Sequence, residues 1–257
     1  LFRSSCSCCP PNVLRFYASV GDYLYSVDED TLYVHQYMDS SASINGLVIH
    51  QSTDYPLTGR IRLMLTRPKG SPIRKLALRL LGWCEHCELS AAHTIKNGYL
   101  IVDMGETDAE RPMDLTLDLA MPVRYLSADP KVHENTGALA ICRGPVIYAL
   151  EGVDQPGLDI HDFLLDPALP AELSDIKKAG NQSFLLPSII VQGYLPLTRA
   201  AEPGRETSLY STYNPVRPAD ERFQPCRVTL IPYYAFASRG ESDMRVWIPA
   251  VFRPSES

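Results

Sequence analysis

Two hydrophobic periods divide the chain. Near its start, Val13, Phe16, Tyr17, Val20 and Leu24 recur at helical spacing directly after Cys9-Pro10-Pro11. The prolines suit a first helical turn, where the missing N–H has no intrahelical partner to lose. Gly21 weakens the last turn. From about residue 31 the period falls to two. Leu32, Val34 and Gln36 alternate with Tyr33, His35 and Tyr37, and Ile61, Leu63 and Leu65 share one face of residues 59–66. Residues 73–81 and 114–119 continue the alternation. Turn signals lie between these runs, at Lys69-Gly70-Ser71-Pro72 and at Asn97-Gly98, a good hairpin turn because both residues tolerate positive φ. Short alternating strands cut by turns predict a β-sandwich.

A second strand-rich region starts near residue 127 and includes 138–150 and 184–192. Residues 152–181, with Pro156, Pro167 and Pro170, read as a long connection between them. Prolines and charges over 199–225 predict a loop or lid, and strand character returns at 226–231 and 244–248. No repeat or low-complexity tract interrupts this order.

Composition narrows the class. The 257 residues carry 21 prolines against 15 glycines, which speaks against a mainly helical protein. The formal charge of −6, with no Lys/Arg-rich run, argues against a nucleic-acid or anionic-membrane partner. No apolar stretch approaches a membrane span, and the first residues lack a signal-peptide pattern. The seven cysteines are an odd number without the spacing of a secreted disulfide scaffold, so a reducing compartment, the cytoplasm, is expected.

Three of those cysteines crowd into Cys6-Ser7-Cys8-Cys9-Pro10-Pro11-Asn12. Thiolates are good Zn²⁺ ligands, and adjacent ones can reach one ion from a turn. The start of a helix also favours thiolate over thiol. The run therefore permits a structural zinc site or an activated sulfur nucleophile; the plainer reading is small buried residues at a helix entrance. A structural zinc needs four ligands, and this run offers at most three. Cys84-Glu85-His86-Cys87 lacks a second pair and follows a strand, so metal or redox work is not expected of it. The other histidines are scattered, and no nucleophile elbow, metalloprotease, P-loop or dinucleotide motif occurs. The 14 Tyr and 2 Trp are expected mainly in sandwich cores and corners. If they instead line a groove, the chain is a non-catalytic module for carbohydrate binding or for oligomerisation as a homodimer.

The cysteine run before an amphipathic helix resembles the motif of glycoside hydrolase family 127, the β-L-arabinofuranosidases. Further runs match in order: Tyr55-Pro56 before Gly59, Gly82-Trp83, Met121-Pro122-Val123-Arg124, and Arg143-Gly144-Pro145-Val146-Ile147-Tyr148 leading to Glu151-Gly152-Val153-Asp154. Ile231-Pro232-Tyr233-Tyr234-Ala235-Phe236-Ala237-Ser238-Arg239-Gly240 and then Met244-Arg245-Val246-Trp247-Ile248 complete the series. The resemblance implies a mainly β fold, two β-sandwich domains preceded by the last helix of an otherwise absent (α/α)6 barrel. On this reading residues 1–24 end the barrel, 25–126 form the first sandwich, 127–236 the second, and 237–257 return to the first. The resemblance implies a retaining glycosidase with zinc as cofactor and an arabinofuranoside-type carbohydrate as substrate. Cys8 matches the nucleophile and a zinc ligand, Cys9 a second ligand, and Cys6 a nearby cysteine that is not a primary ligand. The remaining ligands and the general acid match nothing in these 257 residues, so the chain alone is expected to be inactive and to bind zinc weakly or not at all.

Overall fold

The computed structural model describes residues 8–105, 112–174, 178–179, 182–183, 186–196 and 223–251. The chain divides into two compact units, Leu1–Met121 and Pro122–Ser257.

The first unit opens with helix α1 (Cys9–Ser19), prolonged by a 3-10 turn at Val20–Tyr23. Pro10 and Pro11 occupy its first turn, and the α-helical pattern gives out just before Gly21. The apolar stripe finds no core among the described residues: nothing in α1 is buried, and Val13, Phe16 and Tyr17 are exposed. Leu24 is the first stripe residue to be buried.

The strands that follow are β1 (Tyr25–Asp28), β2 (Thr31–Val34), β3 (Ser40–Ile44), β4 (Leu47–Thr53) and β5 (Arg60–Thr66). Then come β6 (Lys75–Arg79), β7 (Cys87–Leu89), β8 (Thr94–Lys96), β9 (Tyr99–Asp103) and β10 (Met113–Leu119). They form two five-stranded sheets, β1-β2-β6-β9-β8 and β3-β4-β5-β10-β7. All pairings are antiparallel except β2 with β6. Alternation decides which face each residue joins. Ile61, Leu63 and Leu65 of β5 point inward with Leu115 and Leu117 of β10, while Leu32, Leu76, Leu78 and Leu100 come from the other sheet to the same core. Asn97 (φ 51°) and Gly98 (φ 79°) make the predicted hairpin turn between β8 and β9. Asn45 (φ 49°) and Gly46 (φ 80°) make a second one between β3 and β4.

The second unit contains β11 (Val123–Ser127), β12 (Ala138–Arg143), β13 (Val146–Glu151), β14 (Leu164–Leu165) and β15 (Glu172–Leu173). After these come β16 (Lys178–Ala179), β17 (Gln182–Ser183), β18 (Ile189–Pro196), β19 (Phe223–Pro232), β20 (Met244–Arg245) and β21 (Ile248–Pro249). Among the described residues β16 and β17 pair only with each other. The rest form one nine-stranded sheet whose main path is β11-β12-β13-β19-β18-β14, with β15 on β18, β20 on β13 and β21 on β12. A bridge between Leu165 and Ala250 links β14 back to the segment that carries β21. Pairing thus runs in a closed circuit around a core that includes Ile141, Tyr148, Phe163, Val191, Leu230 and Ile248.

Two domain expectations are corrected. The boundary after residue 126 is too late, because Val123–Ser127 pairs along its whole length with residues 139–143 of β12. The second unit therefore starts at Pro122. The described part of the tail builds the second unit's sheet: β20 and β21 pair with β13 and β12, where those two strands spread apart beyond their turn. Residues 252–257 lie outside the described residues, as does most of the loop expected over 199–225. Residues 223–225 open β19 instead.

Candidate active site

Cys8 occupies the N-cap of α1 with helical dihedrals (φ −75°, ψ −37°), and its carbonyl accepts the Asn12 N–H at 3.3 Å. No side-chain cap closes this end, and its first turn holds no acidic residue. Cys9 begins the helix, and both sulfurs are exposed. Their Sγ atoms stand 3.8 Å apart. Two sulfurs each about 2.3 Å from a tetrahedral zinc are separated by about 3.8 Å. The same distance suits a weak S–H···S hydrogen bond, so the pair is compatible with zinc without requiring it. Among the described residues no third His, Cys, Asp or Glu joins them in a group that could hold a metal. The donors present thus fit half a zinc shell. Cys6 lies outside the described residues.

The other cysteines sit in packing environments. The buried Cys84 donates its thiol to the His86 carbonyl at 3.1 Å, and Cys84 and Cys87 both belong to the first core. Burial pushes the Cys87 thiol up, as it does those of Cys142 and Cys226. For Cys142 the Arg124 guanidinium opposes this. These environments suit inert thiols rather than nucleophiles. Two histidines are satisfied locally: His35 shares hydrogen bonds with Ser26 (2.7 Å) and Tyr99 (2.9 Å), and His50 with Ser41 (2.7 Å).

Two runs singled out in the sequence meet in the first unit. Tyr55 stacks on Trp83 with ring centroids 6.3 Å apart, and Tyr37 packs edge-on against Tyr55 while donating its hydroxyl to the Arg79 carbonyl at 2.7 Å. Burial drives the Tyr37 phenol far above its ordinary range. These rings wall the core, which agrees with the structural role expected of most aromatic residues.

A second meeting was not foreseen. Arg239 engages both Asp154, at 2.5 and 2.7 Å, and Glu151. The three side chains are 12%, 8% and 0% exposed. The signal available in the sequence was a pair of acids three residues apart at the end of an apolar strand, with an arginine in a later matching run.

Known proteins match over both units. The model described as "Beta-L-arabinofuranosidase, GH127 middle domain" matches residues 31–117, and that described as "Glycoside hydrolase family 127 C-terminal domain" matches 123–249. Both models describe domains of one family. The chain belongs to glycoside hydrolase family 127. It is 29% identical to the non-reducing end beta-L-arabinofuranosidase of Bifidobacterium longum subsp. longum, over 94% of this chain and 37% of that protein. The crystal structure of a GH127 beta-L-arabinofuranosidase from Geobacillus stearothermophilus T6 superposes with a TM-score of 0.76 at 30% identity, covering 96% of this chain and 38% of that one. A solved GH127 beta-arabinofuranosidase gives a TM-score of 0.71 at 26% identity, over 96% and 39% of the two chains. The chain therefore spans well under half the length of these relatives.

Proposed function

We propose that these residues are part of a retaining glycosidase acting on β-L-arabinofuranosides, with Cys8 as nucleophile and Cys8 and Cys9 as two ligands of a zinc ion. The observation that carries the reading is the adjacent sulfur pair, exposed at a helix start and spaced like one edge of a tetrahedral zinc site. A bound zinc keeps a coordinated sulfur deprotonated at neutral pH. In the first step Cys8 Sγ attacks the anomeric carbon: a C–S bond forms, the C–O bond to the leaving group breaks, and that oxygen takes a proton from a carboxylic acid outside this sequence. In the second step water attacks the same carbon, the C–S bond breaks, and the proton returns to the acid.

The bare apolar face of α1 supports the same reading, since Val13, Phe16 and Tyr17 suit burial against further helices that complete the site. On this reading the described residues supply neither the acid nor the other half of the donors, and the 257-residue chain alone is inactive on an aryl β-L-arabinofuranoside. Hydrolysis by the purified chain that Cys8→Ser abolishes would refute the division of the site. In a chain extended to the length of the relatives, Cys8→Ser removes turnover and Cys9→Ser lowers the zinc content measured by atomic absorption. Full activity in the extended Cys8→Ser variant would refute the assignment of the nucleophile.

A further inference from the structure

Beyond the sulfur pair, two of the sequence runs that the proposed chemistry leaves unused, 143–154 and 231–248, converge on one place in the second unit, the path of residues 237–251. β12 and β13 pair only at their turn end, through Arg143 with Val146, Cys142 with Ile147 and Ile141 with Tyr148. Past that point the strands diverge and the later segment fills the gap. Met244 and Arg245 pair with Glu151 and Leu150 of β13, then Ile248 and Pro249 pair with Leu139 and Ala138 of β12. The Ala250 N–H goes to the Gly137 carbonyl (3.0 Å) and the Val251 N–H to the Leu165 carbonyl (2.8 Å), which carries the ladder across to β14.

The strands in this segment are two residues each, too short to fix it by themselves. Ile248 is buried in the core and Arg245 donates to the His161 carbonyl at 3.1 Å, and further attachment gathers on one turn, residues 151–154. The Ala237 N–H donates to Glu151 Oε1 at 3.2 Å, the Val153 N–H to Ser242 Oγ at 2.8 Å, and the Gly152 N–H to the Asp243 carbonyl at 3.0 Å. At the centre Arg239 bridges Glu151 and Asp154. The planar fork of Arg239 matches Asp154 through both terminal nitrogens. With the guanidinium gone, two carboxylates would share a dry site, and the relief is for the segment to lift and admit water. By contrast, the remaining sheet has long pairings of its own: eight between β18 and β19 and five between β11 and β12.

We propose that residues 237–251 form a latched strap, which closes the second unit's circuit and is locked by Arg239 on Glu151 and Asp154. Release of the lock frees the strap while the β11-β12-β13-β19-β18 sheet stays formed.

Hydrogen exchange read by mass spectrometry on the 257-residue chain tests this. In Arg239→Met, protection of the amides over 244–251 is expected to fall about 100-fold or more, the size of effect that follows removal of one partner from a buried ion pair. Amides of β18 and β19, such as Val191 and Val228, are expected to keep theirs within about threefold. Arg239→Lys retains the charge without the fork and falls between wild type and Arg239→Met. If Arg239→Met does not fold, Arg239→Lys serves alone, with about a tenfold fall over 244–251 expected. A fall smaller than about tenfold at 244–251 in the folded variants overturns the lock. An equal loss in β18 and β19, or failure of both variants to fold, overturns the separable strap.

Discussion

Gly193→Ala adds one methyl group to a strand and is expected to unfold the second unit far more easily. Gly193 lies in β18, facing Leu165 of β14 on one side and Cys226 of β19 on the other. A Cβ there would stand 2.0 Å from the Leu164 carbonyl oxygen and 2.8 Å from the ring tip of Phe163. A carbon normally keeps about 3.3 Å from such an oxygen, so β14 must retreat by about 1.3 Å. That retreat breaks the pairing of Leu164 and Leu165 with β18 and the hydrogen bond from the Asp166 N–H to the Gln192 carbonyl (3.1 Å). Losing two paired positions and one backbone hydrogen bond, at about 1 kcal/mol each, gives about 3 kcal/mol. Phe163 is fully buried and must also lift, which adds about 1–3 kcal/mol. The stiffer unfolded chain returns about 0.4–1 kcal/mol, leaving a net loss of about 3–5 kcal/mol. Each unit holds one tryptophan, Trp83 and Trp247, so a Trp83→Phe background isolates the second unit by fluorescence in urea. Gly21→Ala, in the first unit and read from Trp83 in a Trp247→Phe background, is the control: nothing stands within 4 Å of its Cβ, and the same chemical change there is neutral or stabilising by up to about 1 kcal/mol. A Gly193→Ala midpoint corresponding to less than about 1 kcal/mol of lost stability would refute the steric reasoning.

Two further outcomes are expected in the first unit. Gly59→Ala places a Cβ 1.9 Å from the Leu119 carbonyl oxygen, next to the hydrogen bond from the Leu119 N–H to the Gly59 carbonyl (2.9 Å). It should weaken that unit by about 3 kcal/mol or more, read from Trp83 in a Trp247→Phe background. His35 titrates below its ordinary value because burial disfavours the cation, with Arg79 adding repulsion. A depressed folded value means that stability is complete above the unfolded value of about 6.5 and declines as pH falls from there through the folded value. The urea midpoint of the first unit should therefore drop between pH 7.5 and pH 5.5, and drop less in His35→Gln; equal slopes in the two proteins would contradict the assignment.

The sequence was most legible where one residue's neighbours decide its place. Alternation in β5 put Ile61, Leu63 and Leu65 on the core face because strand side chains must alternate, and Asn97-Gly98 turned because it tolerates positive φ. The sulfur pair was visible for the same reason, being adjacent in sequence at a helix start. Pairing partners were not legible. Nothing in Val123–Ser127 says which sheet its backbone joins, and the strap's strands are too short to carry a pattern. The lock joins residues 85 apart, so only folding reveals it. The apolar stripe of α1 predicted a buried face that the described residues do not cover, since periodicity shows that a face is apolar without showing what meets it.

The strap also sets an order of events during synthesis. All the strands of the first unit lie before residue 120, so that sandwich has every partner once β10 has left the ribosome. The second unit gains its longest pairing only with β19 and closes only with residues 244–251. At 5–20 residues per second, the roughly 130 residues between those points take on the order of ten seconds. From the emergence of β13 to the end of that interval, the widening gap between β12 and β13 leaves unpaired backbone and part of an apolar core open, the state in which a nascent sheet recruits a wrong strand or a chaperone.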